Sequence, residues 1–443
     1  MSAGAGVSPE RRREIVDALR RGTVPRRGLE ALAVGIDRFA PAFDDELAAV
    51  ARGGAGFKAI RGEYGSGKTF LARWVSERAR RQGFAASEVQ ISEAETPLHR
   101  LETVYRRMVE RLSTAEVESG ALTAVVEGWF FALEEDVLAE GRVREDDAAA
   151  LVAATNDLME RRLGEIARTA PAFAAVLRAW RTAQAEGDRD LAQGLLAWLG
   201  GQPNVAARVK RAAGVRGDVD HFGALGFLQG LLIALRDSGH PGLVVVLDEV
   251  ETLQRVRSDV RDKGLNALRQ LIDEIDAGRF PGLYLVITGT PAFFEGPMGV
   301  TRLPPLEQRL HADFTTDARF DNPRAPQVRL PAFSRATLVE VGGRVRDVYA
   351  AGADAPERVA TRCDDAYIGA LADAVAGDLG GRVGVVPRVF LRKLVGDVLD
   401  RVDQFPDFDP RRDYALAVVD AELTPEERAA RRPAGPDDVE LEV

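Results

Sequence analysis

The residues Gly62-Glu63-Tyr64-Gly65-Ser66-Gly67-Lys68-Thr69 fit the spacing G-x-x-x-x-G-K-[ST]. Each position has a physical task. The glycines let successive backbone N–H groups converge on phosphate oxygens, and Lys68 neutralises the β and γ phosphates. Thr69 offers a hydroxyl to Mg²⁺, and the N-terminus of the helix that follows adds the positive end of its dipole. Tyr64 and Ser66 fill the variable positions of the loop. The same string without its context would read as a Gly-rich surface turn. Here an apolar run, Gly56–Ile60, precedes it and an amphipathic helical pattern, Phe70–Val75, follows it, as a phosphate cradle requires.

A triphosphate site also needs a carboxylate for its metal. Leu243-Val-Val-Val-Leu247 is a strand-like apolar run that ends in Asp248 and Glu249. Asp248 is placed to hold Mg²⁺ and Glu249 to polarise an attacking water. Glu251 either reaches the same cleft or caps the following helix. A further apolar run ends Leu285-Val-Ile-Thr288-Gly-Thr290. A polar side chain at that tip would lie between the phosphate loop and the acid pair. Thr288 is the first candidate and Thr290 the second, because the sequence does not fix the register.

The elements that must carry these groups alternate. Apolar, β-branched runs separated by helical patterns such as Asp262–Asp276 imply an α/β, doubly wound parallel sheet, with Gln327–Leu330 as its last strand. The chain divides into an N-terminal helical segment (1–45), a first part of the phosphate-binding core (46–112), an all-α insertion (113–220), a second part of the core (221–335), a helical lid (336–402) and an acidic tail (403–443). The first segment holds one amphipathic helix, about Pro9–Arg21, then a Gly/Pro-punctuated stretch, Gly22–Gly35. The last stretch, 424–443, reads as solvated or disordered.

Composition narrows the partners. The chain has 443 residues, and its 69 acidic against 59 basic side chains leave a net charge of −10, which argues against wholesale wrapping of nucleic acid. Basic stretches at Arg161-Arg162 and Val209-Lys210-Arg211 are either local DNA contacts or solvated helix faces. One cysteine, Cys363, excludes an internal disulfide and a multi-cysteine zinc site. No signal-peptide pattern or membrane-length apolar run is present, so the expectation is cytoplasmic with no membrane partner.

With these motifs assembled, the chain resembles AAA+ P-loop ATPases of the ASCE class, in the Orc/Cdc6-like and STAND-related branch. Leu330-Pro-Ala-Phe333-Ser334 before Thr337 resembles the passage from the sheet to a helical lid. Val386-Pro387-Arg388 resembles the family's second sensor, which implies that Arg388 points at the γ-phosphate; read alone, Arg388 is equally a surface arginine. Arg309, in Leu303-Pro-Pro-Leu-Glu-Gln-Arg309, lies where related ATPases carry an arginine finger, implying a homo-oligomer. The chain is also similar, across roughly residues 10–402, to the BrxD family of ATP-binding proteins of BREX anti-phage systems. That likeness rests on Ile15–Leu29, Val34-Gly35, the phosphate loop, Asp248–Glu251, Thr288–Phe294 and Pro387-Arg388.

The resemblance implies ATP and Mg²⁺ as cofactors and other BREX components, a helicase-like protein among them, as partners. It implies a motor or switch ATPase, slow or stimulated by a partner, with Lys68, Glu249, Thr288, Arg388 and Arg309 as acting residues and Thr69 and Asp248 as metal ligands. It also suggests that Pro25–Gly28 covers the adenine, where the residues alone equally describe a structural turn. Two alternatives stay open: an Orc/Cdc6-like DNA-binding or loading ATPase, and a nucleotide-gated scaffold that does not hydrolyse. Too little chain follows Val402, and it is too acidic, for the winged helix of a standalone origin binder.

Overall fold

The computed structural model describes residues 6–416 apart from 142, 145 and 379–385, together with residue 428. The stretch 424–443, expected to be solvated, lies outside the described residues except for 428.

The chain begins with α1 (Pro9–Arg20), which Ser8 caps and Pro9 opens. A strap, residues 22–39, leads to α2 (Ala40–Ala51), β1 (Gly56–Arg61), α3 (Lys68–Arg81), β2 (Ala85–Gln90) and α4 (Leu101–Glu110). A helical region follows: α5 (Leu122–Ala139), α6 (Ala148–Thr169), α7 (Pro171–Ala185), α8 (Arg189–Leu199), α9 (Ala207–Ala212) and α10 (His221–Asp237). The sheet resumes with β3 (Leu243–Asp248), α11 (Ser258–Asp276), β4 (Leu283–Gly289), α12 (Pro291–Glu295), α13 (Pro304–Leu310) and β5 (Gln327–Arg329).

The remaining helices are α14 (Arg335–Ala350), α15 (Pro356–Arg362), α16 (Asp365–Asp378) and α17 (Val386–Arg392). The last of these runs without a break through π-helical turns, Lys393–Leu399, into α18 (Asp400–Gln404), and α19 (Pro410–Asp413) follows. At the start of α14, Thr337 N–H donates to Ser334 Oγ at 3.2 Å and Ser334 N–H donates to Thr337 Oγ1 at 2.8 Å. This reciprocal cap fixes where the chain leaves the sheet.

The five strands are parallel, in the order β2-β3-β4-β1-β5. All residues of β3 and β4 are buried, which is why both read as unbroken apolar runs rather than alternating ones. Val244, Val246 and Val286 face α2 and α3, packing with Phe43, Leu71 and Trp74. Leu243, Val245 and Leu285 face the opposite layer, whose core is shared with the helical region through Phe173, Phe227 and Leu231. Each such aliphatic side chain contributes about 1.5–3 kcal/mol by leaving water.

The first helix is not a free-standing segment. Ile15 and Leu19 of α1 pack with Val345, Phe390 and Leu394 of the C-terminal helices in one core. Arg20 donates to both oxygens of Asp400, at 2.7 and 2.9 Å, and the Tyr349 hydroxyl donates to the same carboxylate at 2.8 Å. The two basic stretches offered for DNA are partly neutralised within the chain. Arg162 lies 3.9 Å from Asp237, and Lys210 donates to Asp218 at 2.7 Å.

Candidate functional site

The parallel register brings the tips of four strands to one edge. Gln90 pairs with Asp248, Leu247 with Ile287, and Arg61 with Gly289. The Gly62 amide continues the ladder by donating to Gly289 O at 3.2 Å. The phosphate loop, the acid pair and the β4 tip are therefore neighbours because of strand order, although Thr69 lies 179 residues before Asp248 and Thr288 lies 40 residues after it.

In the loop, Gly65 and Gly67 have φ of +78° and +92°. A side chain at either position would be strained, so the turn that exposes consecutive N–H groups depends on glycine. Lys68 leads α3 and is buried; its ammonium donates to Gly62 O at 2.9 Å and Glu63 O at 3.2 Å. Ser66 Oγ is buried with no hydrogen-bond partner among the described residues. Thr69 Oγ1 donates to Asp248 Oδ2 at 2.8 Å. A hydroxyl and a carboxylate side by side are hard oxygen donors of the kind Mg²⁺ takes when phosphate and water supply its other ligands. The orphaned Ser66 hydroxyl, the glycine-dependent cradle and this donor pair fit a Mg²⁺–triphosphate group.

Thr288 is buried at the β4 tip. Its hydroxyl donates to Asp248 Oδ1 and accepts the Glu249 amide at 3.0 Å. Thr290 instead caps α12, accepting from the Phe293 amide at 3.4 Å. The register left open by the sequence thus puts Thr288 on the acid pair and Thr290 on a helix start. Glu249 has a left-handed backbone, φ +60°, a conformation that costs a non-glycine residue about 1–2 kcal/mol. Its carboxylate accepts a hydrogen bond from Gln90 Nε2 at 2.9 Å.

Glu251 reaches the cleft rather than the solvent. It is 4% exposed, lies 3.7 Å from Lys68 Nζ, and accepts no hydrogen bond from another described residue. Burial pushes its carboxyl up to about 7, against the opposing pull of Lys68.

The loop residues Tyr64–Thr69 with Asp248, Glu249 and Glu251 form one wall of a cavity of about 540 Å³. The opposite wall comes from the strap (Thr23, Val24, Pro25, Val34, Ile36), from Leu330–Phe333, and from α14 and α17. Arg388 and Pro387 line it from the C-terminal helices, and Arg255, which donates to the Tyr64 hydroxyl at 3.3 Å, closes the rim. Of the segment Pro25–Gly28, only Pro25 lines this cavity. The Gly28 and Leu29 amides turn away and donate to the buried Glu77 carboxylate at 2.8 and 2.9 Å. Arg309 lies outside the cavity, on α13, ion-paired with Asp273 of α11.

Sequence reasoning missed Gln90, Arg255 and Glu77. Gln90 ends a strand that the sequence reading passed over, so nothing marked it. Arg255 sits in a short helical turn with no motif of its own. A glutamate on the buried face of an amphipathic helix was the available signal for Glu77.

The chain matches the family described as "BREX system ATP-binding protein BrxC/D" over residues 7–418. No curated protein matches it. Among solved structures it is similar to the Aeropyrum pernix ORC2 protein in its ADPNP–ADP complexes, with 12% identity, a TM-score of 0.34, and coverage of 81% of this chain and 67% of that one.

Proposed function

The chain belongs to the BREX system ATP-binding family BrxC/D, and from that premise we propose that it is a Mg²⁺-dependent ATPase working as a motor or switch beside other BREX components, a helicase-like protein among them. The observation that carries this reading is the convergence of Lys68, Thr69, Asp248 and Glu249 on one wall of a single cavity, with Thr288 buried behind the acid pair and hydrogen-bonded to it.

In this reading Lys68 leaves the carbonyls of Gly62 and Glu63 for the phosphates, and the loop amides and Ser66 hold the phosphate oxygens. Thr69 and Asp248 hold Mg²⁺, which when bound offsets the charge of the β and γ phosphates. Thr288 keeps the Asp248 carboxylate in one rotamer. Glu249 accepts a proton from the attacking water once Gln90 releases it. The apolar strap, Pro25 with Val34 and Ile36, covers the base. Arg388 contacts the γ-phosphate from the lid, so that hydrolysis removes a contact between lid and core. A role for Arg309 requires a second copy of the chain and exchange of its Asp273 partner for a neighbour's nucleotide.

One observation favours a second reading, a nucleotide-gated scaffold with little turnover: Gln90 engages the very carboxylate that hydrolysis needs. ATP binding and phosphate release, measured side by side with and without double-stranded DNA, separate the two. The ATPase reading expects turnover in the wild type, binding without turnover in Glu249→Gln (roughly 10²–10⁴-fold slower), and loss of binding in Lys68→Ala. Wild-type protein that binds ATP and releases no phosphate, with DNA and with its BREX partners present, makes the scaffold reading the correct one.

A further inference from the structure

A second cleft, of about 480 Å³, lies behind the phosphate loop. Its walls are the strap at Arg26 and Arg27, the C-terminal half of α3, the exposed side of β2 and the segment Glu110–Ser119. Ser113 pins that segment to the sheet edge by pairing with Ala86. Seven arginines and four glutamates line the cleft. In a chain with a net charge of −10, such a local positive excess is not a by-product of general basicity.

The glutamates are already engaged. Arg73 holds Glu88 with hydrogen bonds of 2.6 to 2.9 Å, and Arg27 holds Glu118 at 2.7 Å. Glu77 accepts two amides and lies 3.1 Å from Arg81. Glu110 accepts from Arg107 and Gln202, both at 2.9 Å. Four of the arginines, Arg11, Arg26, Arg80 and Arg111, make no ion pair among the described residues. Arg80 is half-buried, and its guanidinium makes a single hydrogen bond among the described residues, to the Ser113 hydroxyl at 3.0 Å; burial pulls its pKa down. Glu77, Glu88 and Glu118 act on it only from beyond ion-pair distance, and a desolvated guanidinium that no carboxylate touches is costly unless an anion completes it.

We propose that this cleft is a binding site for a phosphate-bearing anion, separate from the nucleotide cavity. The planar guanidinium fork matches phosphate oxygens bidentately. A compact oligophosphate concentrates several charges in a few ångströms, which suits a small cleft with several uncommitted arginines. A carboxylate peptide spreads its charges one per residue and matches less well. The site is joined mechanically to the nucleotide cavity, since Arg73 donates to Val24 O at 2.7 Å and Val24 lines that cavity. This last link alone rests on the ATPase reading.

The test is calorimetric titration with tripolyphosphate in full-length Lys68→Ala protein, which silences the phosphate loop. One equivalent is expected to bind. Arg26→Glu with Arg111→Glu, both at exposed positions, is expected to weaken binding by roughly tenfold or more. Glu118→Gln, which removes the one carboxylate that lines the cleft on Arg27 while Glu14 and Glu10 still pair with that arginine, is expected to tighten it, an effect that a merely structural role would not produce. Competition by short single-stranded DNA assigns the phosphate to a nucleic-acid backbone, and failure to compete assigns it to a free oligophosphate. The proposal is overturned if Lys68→Ala protein binds no tripolyphosphate, if the arginine substitutions leave the affinity unchanged, or if an oligoglutamate peptide binds the cleft where tripolyphosphate does not.

Discussion

The Glu251 carboxylate lies 3.7 Å from the Lys68 ammonium, both are buried, and no other described residue donates a hydrogen bond to it. Its pKa, pushed by burial from 4.5 to about 7, makes the nucleotide-free protein pH-sensitive. Between the two values the folded state keeps a proton that the unfolded state has released. Stability therefore falls as pH rises through that window, by about 3 kcal/mol in all. Glu251→Gln is expected to raise the melting temperature at pH 8 and to change little at pH 5. Thermal unfolding at the two pH values checks this, and equal shifts at both would refute it.

Thr288 and Thr290 separate by function. Thr288→Val leaves a buried carboxylate oxygen and the Glu249 amide without their partner, costing about 1–3 kcal/mol, and phosphate release is expected to fall roughly 10- to 100-fold. Thr290→Ala removes only a helix cap, about 0.5–1 kcal/mol, with turnover retained. Measuring both variants for unfolding and for phosphate release tells the roles apart; similar losses of turnover would merge them.

Gln90 restrains Glu249 by a charge-assisted hydrogen bond of 2.9 Å. Gln90→Leu removes that restraint, and basal phosphate release is expected to rise, by at most roughly tenfold given the strength of one such bond. Steady-state turnover without partners is the measurement. A fall would mean that Gln90 aims the carboxylate instead of holding it back.

Glu77 ties the strap to α3. Glu77→Ala strips two backbone amides, Gly28 and Leu29, of their acceptor. Loss of about 2–4 kcal/mol in urea unfolding is expected, together with weaker ATP binding, because the neighbouring strap residues line the nucleotide cavity. ATP affinity unchanged in a destabilised Glu77→Ala protein would confine Glu77 to a packing role.

Much of this arrangement was legible in the sequence for a definite reason. The phosphate loop, the β3 and β4 runs and the Thr288 tip each combine a local pattern with residue types that chemistry restricts. The strand β2, Ala85-Ala-Ser-Glu-Val-Gln90, escaped notice because alanine, glutamate and glutamine carry no β propensity; its pairing with β3 decides its form. Gln90 was lost with it. The placement of α1 in the lid core was equally hidden. Amphipathic periodicity says that Ile15 and Leu19 are buried but not against what. Arg26 and Arg27 read as part of an adenine cover, and only the fold shows that they turn to the opposite side of the strap.

Because α1 is stapled to the C-terminal helices proposed as a lid by Ile15, Leu19 and the Arg20–Asp400 pair, the polypeptide crosses between them and the core twice among the described residues. One crossing is the strap after Arg20, and the other is Leu330–Ser334. Both run along the nucleotide cavity. A rigid body tethered to another at two points keeps one easy rotation, about the line that joins the tethers. In the proposed mechanism a lid that moved with the state of the nucleotide would thus be hinged as a door is, on two pins beside the cavity, its swing largely fixed in direction before any ligand arrived.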